Sequence, residues 1–291
     1  MTHALDVRGL EKRYKGFALE NIRFCVPAGF ISGLIGPNGA GKTTVIKAIM
    51  NLIHADDGEV EVFGNDAFRE GAAARSRIGY VPDEPKFFED AKLADHVDAY
   101  RRFYDAWDDQ RFEALAADFE LPLRKRCKTL SQGMRTKFAI ALALAHEPAF
   151  LIMDEPTSGL DPVFRKRLLA MLSDYISEGE RSVLFSTHIT SDLETTADYV
   201  TFLYAGRVVF SESLDSVHGR YAVVKGESVL PAGDSVPIVG SRTGTFGFEA
   251  LTSDTNAFNA SGLTQWAAEP ATLEDIMYFT KLEEHHAGTT N

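Results

Sequence analysis

Apolar and polar residues alternate over roughly the first 30 residues of the chain, in segments such as LDVRGL and LENIRFCV. Alternation of this kind predicts short antiparallel strands, here with turns at Lys15-Gly16 and at 27–29. A continuous apolar run at 30–35 predicts a buried strand, which a glycine-rich loop separates from a helix at 42–52. Shorter apolar runs predict two further strands, at 59–63 and 77–81.

Between residues 93 and 119 the apolar residues recur at helical spacing, and Asp108-Asp109 begins the second of two predicted helices. These helices form an insert of about 91–130 within a pattern in which strands and helices alternate. Alternation of strands and helices predicts an α/β fold. The other predicted elements are helices at 131–146 and 163–177, strands at 150–153 and 182–186, and a hairpin at 199–210.

The composition changes near residue 218. Residues 219–291 carry 4 bases and 9 acids and are rich in glycine, serine and threonine. Their pattern predicts short strands followed by a terminal helix at 272–282, capped by Thr272 and Asp275. We therefore expect a domain of 1–218 and a small α+β appendage of 219–291.

The overall charge and hydropathy limit the classes of function that this chain can have. Acids outnumber bases 42 to 30, so the net charge is −12, which disfavours binding to nucleic acid. The longest apolar run, at 138–145, has eight residues, whereas a membrane-spanning helix needs roughly 20. We therefore expect no direct membrane span, and a role in transport would require a separate membrane protein.

The strongest chemical signal is GPNGAGKT at 36–43, which matches the phosphate-binding pattern G-x-x-x-x-G-K-[ST] between a strand and a helix. Its glycines let backbone N–H groups converge on an anion at the positive end of the helix. Lys42 is expected at the β- and γ-phosphates, Thr43 on Mg²⁺ and Thr44 at the α-phosphate. The alternative, a glycine turn that only joins the two elements, explains less of the pattern. The predicted ATP site comprises Gly36, Pro37, Asn38, Gly39, Ala40, Gly41, Lys42, Thr43 and Thr44.

A pair of acids follows the apolar strand at 150–153. In α/β folds the carboxyl ends of strands form ligand sites, which places Asp154 and Glu155 beside the phosphate loop. Asp154 is expected to hold Mg²⁺, and Glu155 to polarise the attacking water as a general base. Taken alone, this pair could also be interpreted as two surface acids at the end of a strand.

With these motifs the chain resembles the ATP-binding subunits of ATP-binding cassette (ABC) transporters, over about residues 4–218. The resemblance implies a P-loop NTPase fold of ABC type, with a mixed core sheet, an antiparallel β subdomain and the helical insert. It also implies two composite ATP sites in a head-to-tail pair, formed by a homodimer or by two different ATPase subunits. An integral membrane transporter subunit would be the second partner, at the cytoplasmic face of the membrane of a bacterial cell.

Further site residues follow from this resemblance. Ser131 and Gly133, in LSQGM at 130–134, stand where the family signature LSGGQ binds the γ-phosphate held by the opposite subunit. Asp161 ends the segment 158–161, which matches a family loop that crosses the dimer interface, and His188 matches a histidine that contacts the γ-phosphate. Tyr14 matches the aromatic residue that stacks on adenine, and Phe17 is a weaker candidate for that role.

The chain also departs from the family pattern. Asp83 stands where the family usually has glutamine, and it remains a possible Mg²⁺ ligand because its carboxylate is anionic. Gln132 and Met134 replace a glycine and a glutamine of the signature, while the expected phosphate-contacting groups are kept. Together with features such as Trp107, these departures resemble a branch that includes bacterial exporters of antimicrobial and phenol-soluble peptides.

Two other functions fit parts of the pattern. A soluble ABC-type ATPase that acts on ribosomes or DNA usually has two cassettes, a long coiled coil or basic extensions, none of which this sequence shows. A nucleotide-binding regulator without hydrolysis would not need Glu155 and His188. We therefore expect an ATP hydrolase that drives transport, in the direction of export.

Overall fold

A computed structural model describes residues 2–177, 181–230, 236–244 and 247–288 of the chain. The chain packs as two compact units. The core unit comprises Met1–His188 and Tyr199–Ser211, and the C-terminal unit comprises Ile189–Asp198 and Glu212–Asn291.

The strands and helices follow each other along most of the chain. The strands are β1 His3–Tyr14, β2 Phe17–Pro27, β3 Ile31–Ile35, β4 Asp57–Val62, β5 Asn65–Asp66, β6 Ile78–Val81, β7 Phe150–Asp154, β8 Ser182–Thr187, β9 Tyr199–Tyr204, β10 Arg207–Ser213, β11 Ala222–Gly226, β12 Ile238–Gly244, β13 Gly247–Thr252 and β14 Ala267–Pro270. The helices are α1 Lys42–Ile49, α2 Gly71–Ser76, α3 Leu93–Tyr100, α4 Asp109–Asp118, α5 Gln132–Leu144, α6 Pro162–Ser177, α7 Thr190–Thr196, α8 Leu214–Arg220, α9 Thr255–Ala260 and α10 Leu273–Gly288.

The N-terminal strands form an antiparallel sheet of four strands in the order β2-β1-β4-β5. The alternating pattern arises because one face is buried, with Val7, Leu10 and Ile22 among its core residues. β1 has 12 residues and β2 has 11. The two strands pair with each other, with irregularities such as the register shift between Val7 and Leu10. The predicted antiparallel strands are confirmed, although they are longer than the predicted short strands.

The central sheet has six strands in the order β10-β9-β3-β8-β7-β6. β9, β3, β8, β7 and β6 are parallel. Every residue of β3 and β7 is buried, which accounts for their continuous apolar character. In register, Ile35 lies beside Thr187, and Asp154 beside Ser186. The loops after β3, β7 and β8 therefore leave the sheet at one edge and bring their residues together there.

The predicted helical insert consists of α3, α4 and a single 3₁₀ turn, Cys127–Thr129, which leads into α5. Asp108 caps α4 by accepting hydrogen bonds from the N–H groups of Gln110 and Arg111. The structure thus confirms the predicted α/β fold with a mixed core sheet, an antiparallel β subdomain and a helical insert. No helix in the described part of the chain is long and apolar enough to cross a membrane.

The C-terminal unit contains an antiparallel sheet in the order β12-β13-β11-β14, with helices α7, α8, α9 and α10. The Thr272 hydroxyl accepts a hydrogen bond from the N–H of Asp275, whose carboxylate accepts one from the N–H of Thr272. This is the predicted cap of the terminal helix. α7 belongs to this unit although Tyr199–Ser211, which follows it in the chain, belongs to the core unit. The predicted domain boundary near residue 218 stays a prediction.

Candidate nucleotide-binding site

The phosphate loop lies between β3 and α1 in a tightly packed part of the core unit. A Cβ atom at Gly36 would lie 2.2 Å from the carbonyl oxygen of Leu203, so a side chain there is excluded. Gly41 has φ +111°, and its Cβ would lie 2.6 Å from a methyl carbon of Leu19. The loop therefore depends on both glycines. It presents the first-turn N–H groups of α1, which have no acceptor within the helix.

Lys42 is buried at the start of α1. Its ammonium donates a hydrogen bond of 2.8 Å to the carbonyl oxygen of Gly36 and lies 3.2 Å from a carboxylate oxygen of Glu155. Only 6% of the Lys42 side chain and 10% of the Glu155 side chain are exposed. A buried charge is stable only when it is paired, so each of these side chains holds the other in place.

Glu155 follows β7 with φ +49°, a backbone conformation that is uncommon for a residue with a side chain. Its N–H donates to the backbone oxygen and to the hydroxyl of Ser186, at 3.1 and 3.0 Å. Its second carboxylate oxygen lies 2.8 Å from Nδ1 of His188 and 3.3 Å from the N–H of His188. The carboxylate is thereby held between Lys42 on one side and His188 on the other.

Asp154 is almost fully buried at the end of β7. Its Oδ1 accepts a hydrogen bond of 2.6 Å from the hydroxyl of Ser186. Its Oδ2 is buried and has no hydrogen-bond partner among the described residues. A buried carboxylate oxygen without a partner is costly, and a hydrated cation is one group that would satisfy it.

These residues surround a cleft of about 580 Å³. The cleft is lined by Phe17, Asn38, Gly39, Gly41, Lys42, Thr43, Thr44, Asp83, Glu155, Ser158 and His188. Most of the predicted phosphate loop, the predicted base and the predicted histidine thus meet in one place. Apart from Phe17, which belongs to β2, the residues come from separate segments that the parallel sheet brings together.

The two aromatic candidates for adenine differ in position. Tyr14 pairs with Phe17 across the turn between β1 and β2, but Phe17 lines the cleft and Tyr14 does not. Tyr14 is about half exposed, and the ammonium of Lys12 lies 5.5 Å from the centre of its ring. The role of Tyr14 stays a prediction, and the geometry favours Phe17.

Asp83 also lines the cleft. Partial burial raises the pKa of Asp83, and the nearby charges of Asp154 and Glu155 raise it further. This concentration of negative charge would favour a cation between the carboxylates. Whether Asp83 binds Mg²⁺ stays a prediction.

The signature residues lie outside this cleft. Ser131 is exposed and caps α5, where its hydroxyl accepts a hydrogen bond of 3.3 Å from the N–H of Met134. Gly133 lies against the loop after β7, because a Cβ atom there would lie 3.1 Å from the backbone oxygen of Gly159. The carboxylate of Asp161 caps α6 through the N–H of Phe164, at 2.9 Å, so a contact of Asp161 with nucleotide also stays a prediction.

Two residues near the chemistry were not singled out from the sequence. Ser186 bridges Asp154 and Glu155, and Ser158 lines the cleft. Ser186 lies two residues before His188 on a buried strand, where a hydroxyl needs a partner. That position was the available signal for Ser186. Ser158 begins the segment 158–161, which resembles the interface loop of the family, and this was its signal.

The strand–loop–helix with its phosphate-binding pattern, and the acidic pair at the end of β7 in the same sheet, define a P-loop nucleoside triphosphatase. A family model described as "ABC transporter" matches residues 19–158. The lantibiotic transport ATP-binding protein SrtF of Streptococcus pyogenes is 30% identical over 213 residues, which is 72% of this chain and 91% of the relative.

Two further similarities extend this result. Nod factor export ATP-binding protein I of Cupriavidus metallidurans is 30% identical over 97% of this chain and 98% of its own length, which includes the C-terminal unit. A solved ATP-binding subunit of an ABC transporter superposes with a TM-score of 0.69 at 31% identity, over 74% of this chain and 92% of the other. The chain belongs to the family of ABC transporter ATP-binding proteins, which are ATP hydrolases.

Proposed function

We propose that this protein hydrolyses ATP, with Mg²⁺, at the interface of a head-to-tail dimer and thereby drives export through a separate membrane subunit. The observation that supports this most directly is the placement of Glu155, whose carboxylate lies between Lys42 and His188 on the wall of the cleft. A general base must be held at the reacting phosphate, and these contacts provide such a position.

The residues present fit a magnesium ion. Mg²⁺ usually takes one or two protein ligands and completes its shell with water and phosphate oxygens. Thr43 and Asp154 provide such a set, and the unpartnered Oδ2 of Asp154 points to a missing polar neighbour. When bound, the ion would neutralise charge on the β- and γ-phosphates.

The chain's own residues perform the remaining steps. Lys42 and the loop amides hold the phosphates, and the γ-phosphate competes with Glu155 for the Lys42 ammonium. Glu155 then accepts a proton from the attacking water. His188, which keeps its hydrogen bond to Glu155, fixes the direction in which the carboxylate points.

The dimer explains why Ser131 and Gly133 lie outside the cleft of their own chain. The exposed first turn of α5 offers N–H groups and the positive end of a helix, which is the chemistry that binds a phosphate. In a two-fold pair, each signature would cover the ATP held by the other chain. Triphosphate would join the two chains, and diphosphate would release them.

A second concave surface fits the membrane subunit. A groove of about 170 Å³ beside the insert, called here the insert groove, is lined by residues that include Arg75, Lys86, Phe87, Tyr100, Tyr104 and His146. Neither Arg75 nor Lys86 forms an ion pair with another described residue. Such a groove fits a helical segment with apolar and acidic side chains. Phe87 lines the insert groove, whereas the next residue, Phe88, is exposed and does not.

The direction of transport rests on the relatives. One is named for lantibiotic transport and one for Nod factor export, and the second aligns over nearly the whole chain. We infer export from the cytoplasmic face of a bacterial membrane. The transported molecule would contact the membrane subunit, since no helix of the described residues crosses a bilayer.

The test is Glu155→Gln in the full chain. Phosphate release should fall by at least about a hundredfold, since a positioned general base contributes on the order of 10²–10⁴. The same variant should form an ATP-dependent dimer in size-exclusion chromatography with Mg²⁺, because bound triphosphate is no longer cleaved. Glu59→Gln, on the antiparallel sheet, is the control and should change neither. A Glu155→Gln variant that keeps its hydrolysis rate, or that stays monomeric with saturating ATP, would contradict the proposal.

A further inference from the structure

Arg135 and Glu89 form an ion pair at the start of α5 that the hydrolytic mechanism leaves unused. The two terminal nitrogens of the Arg135 guanidinium, Nη1 and Nη2, donate to the two carboxylate oxygens of Glu89, each at 2.8 Å. One of them also donates to the carbonyl oxygen of Cys127, at 2.9 Å. Paired hydrogen bonds between a guanidinium and a carboxylate fix the orientation of both groups as well as their distance.

The backbone on both sides of this pair is joined in the same way. The N–H of Lys128 donates to the backbone oxygen of Glu89, and the N–H of Cys127 to that of Ala91, both at 3.0 Å. The side-chain amide of Gln132 lies 3.4 Å from the backbone oxygen of Asp83. The segment that runs from the cleft at Asp83 to Ala91 is therefore attached to the residues that lead into α5.

The first turn of α5 needs such an attachment. The side chains from Phe138 to Leu144 are buried in the core unit, whereas Ser131 and Gln132 are exposed. Packing therefore fixes the far end of the helix, and its first turn depends on local contacts. Arg135, with 16% of its side chain exposed, is the charged residue of that turn.

We propose that Glu89 and Arg135 are positioning residues for the signature: they hold Ser131 and Gly133 in the geometry that engages the ATP of the second chain. This inference rests on the proposed dimer. Through Glu89, the same pair connects the signature to the segment that begins at Asp83 in the cleft. An ion pair at this exposure adds little to global stability, so its value lies in orientation.

The experiment is a charge exchange in the Glu155→Gln background, in the full chain with ATP and Mg²⁺. The measured quantity is the dimer dissociation constant from sedimentation equilibrium. Arg135→Glu should weaken the dimer by about tenfold or more, since it removes a paired charge-assisted contact and places two acids together. The double variant Glu89→Arg with Arg135→Glu should recover to within about threefold of the background.

Three controls separate positioning from folding. Glu89→Gln, a milder change, should weaken the dimer in the same direction as Arg135→Glu. Arg111→Glu removes an ion pair of similar exposure, Arg111 with Glu147 at 2.7 Å, and should leave dimer formation unchanged. ATP binding to the monomer should be alike in all variants, because neither Glu89 nor Arg135 lines the cleft. The melting temperature should also be alike, because an ion pair at this exposure adds little to stability.

The outcomes are distinct. If Arg135→Glu dimerises as the background does, or if the exchanged pair gives no recovery, the positioning role is wrong and the dimer proposal stands. If the Glu155→Gln background itself stays monomeric, the dimer is wrong and the role of the pair is wrong with it. Weakening by Arg135→Glu together with recovery by the exchanged pair supports the inference.

Discussion

The nucleotide cleft and the insert groove are both concave surfaces of the core unit, but opposite chemistry lines them. In the cleft, buried charges face each other, with Lys42 3.2 Å from Glu155. In the insert groove, rings lie against rings, with the centres of Tyr104 and His146 3.9 Å apart and nearly parallel. A surface that handles a polyanion must hold charges that can exchange partners, whereas a surface for a protein segment combines rigid apolar rings with charges such as those of Arg75 and Lys86.

Histidine shows the difference most clearly. His188 is partly exposed beside a carboxylate that accepts its hydrogen bond. His146 is buried, its Nδ1 has no hydrogen-bond partner among the described residues, and burial lowers its pKa to about 4. The same side chain thus orients a base in one place and acts as an uncharged ring in the other. Each prediction below changes one of these surfaces and leaves the other intact.

The largest effect is expected for Lys42→Ala. The variant loses the ammonium that holds the phosphates and leaves Glu155 without its buried partner, so phosphate release should fall by at least about a hundredfold. The rate of phosphate release and the affinity for nucleotide are measured for each variant. Lys47→Ala, at an exposed position of the same helix, should behave as the wild type. Equal losses in the two variants would show that the helix, and not the charge, was disturbed.

Ser186→Ala should have the next largest effect. It removes the donor to Asp154 and an acceptor for the N–H of Glu155, so the turnover rate should fall by about tenfold and the stability by about 1–3 kcal/mol. Steady-state kinetics and urea unfolding measure the two quantities. Ser32→Ala is the matched control, since the Ser32 hydroxyl is buried in the same sheet with no hydrogen-bond partner among the residues that the structure describes. This variant should be neutral within about 0.5 kcal/mol. Unchanged turnover in Ser186→Ala would show that the hydroxyl does not position the acidic pair.

His146→Phe tests the insert groove through pH. The pKa of His146 is about 4 in the folded protein, below the ordinary value of about 6.5, because burial disfavours the charged ring. The unfolded chain therefore binds a proton that the folded chain does not, and stability is lost as the pH falls from about 6.5 towards 4. The phenylalanine variant should lose about 1–2 kcal/mol less than the wild type between pH 7 and pH 5.

Urea unfolding at the two pH values measures this difference. His54→Gln, at an exposed position, should keep the pH dependence of the wild type. Hydrolysis by His146→Phe at pH 7 should be unchanged, because His146 does not line the cleft. An identical pH dependence in the wild type and His146→Phe would mean that the ring is not buried in its neutral form.

The smallest effect is expected for Asp83→Gln. It restores the residue usual in the family at the edge of the cleft, so hydrolysis should stay within about tenfold of the wild type, a barrier change of about 1.4 kcal/mol. The phosphate-release assay compares it directly with Glu155→Gln. A loss as large as that of Glu155→Gln would make Asp83 an essential group of the site.

The sequence alone determined the local elements and the residues whose chemistry is written in short patterns. The phosphate loop, the acidic pair, the insert and the capped terminal helix follow from spacing over a few residues, where glycines, caps and apolar periods act locally. Family membership could also be predicted from the sequence, because several motifs of the family occur in a fixed order.

Only the tertiary structure decided how these patterns meet. The parallel register of β3, β7 and β8 joins Lys42, Glu155 and His188. Phe17, at the start of β2 in the antiparallel sheet, lines the same cleft, and Tyr14 does not. The pairing of Glu89 with Arg135, and the packing of α7 with the C-terminal unit, join residues far apart in the chain. Such contacts depend on packing between distant segments, which no pattern of neighbouring residues encodes.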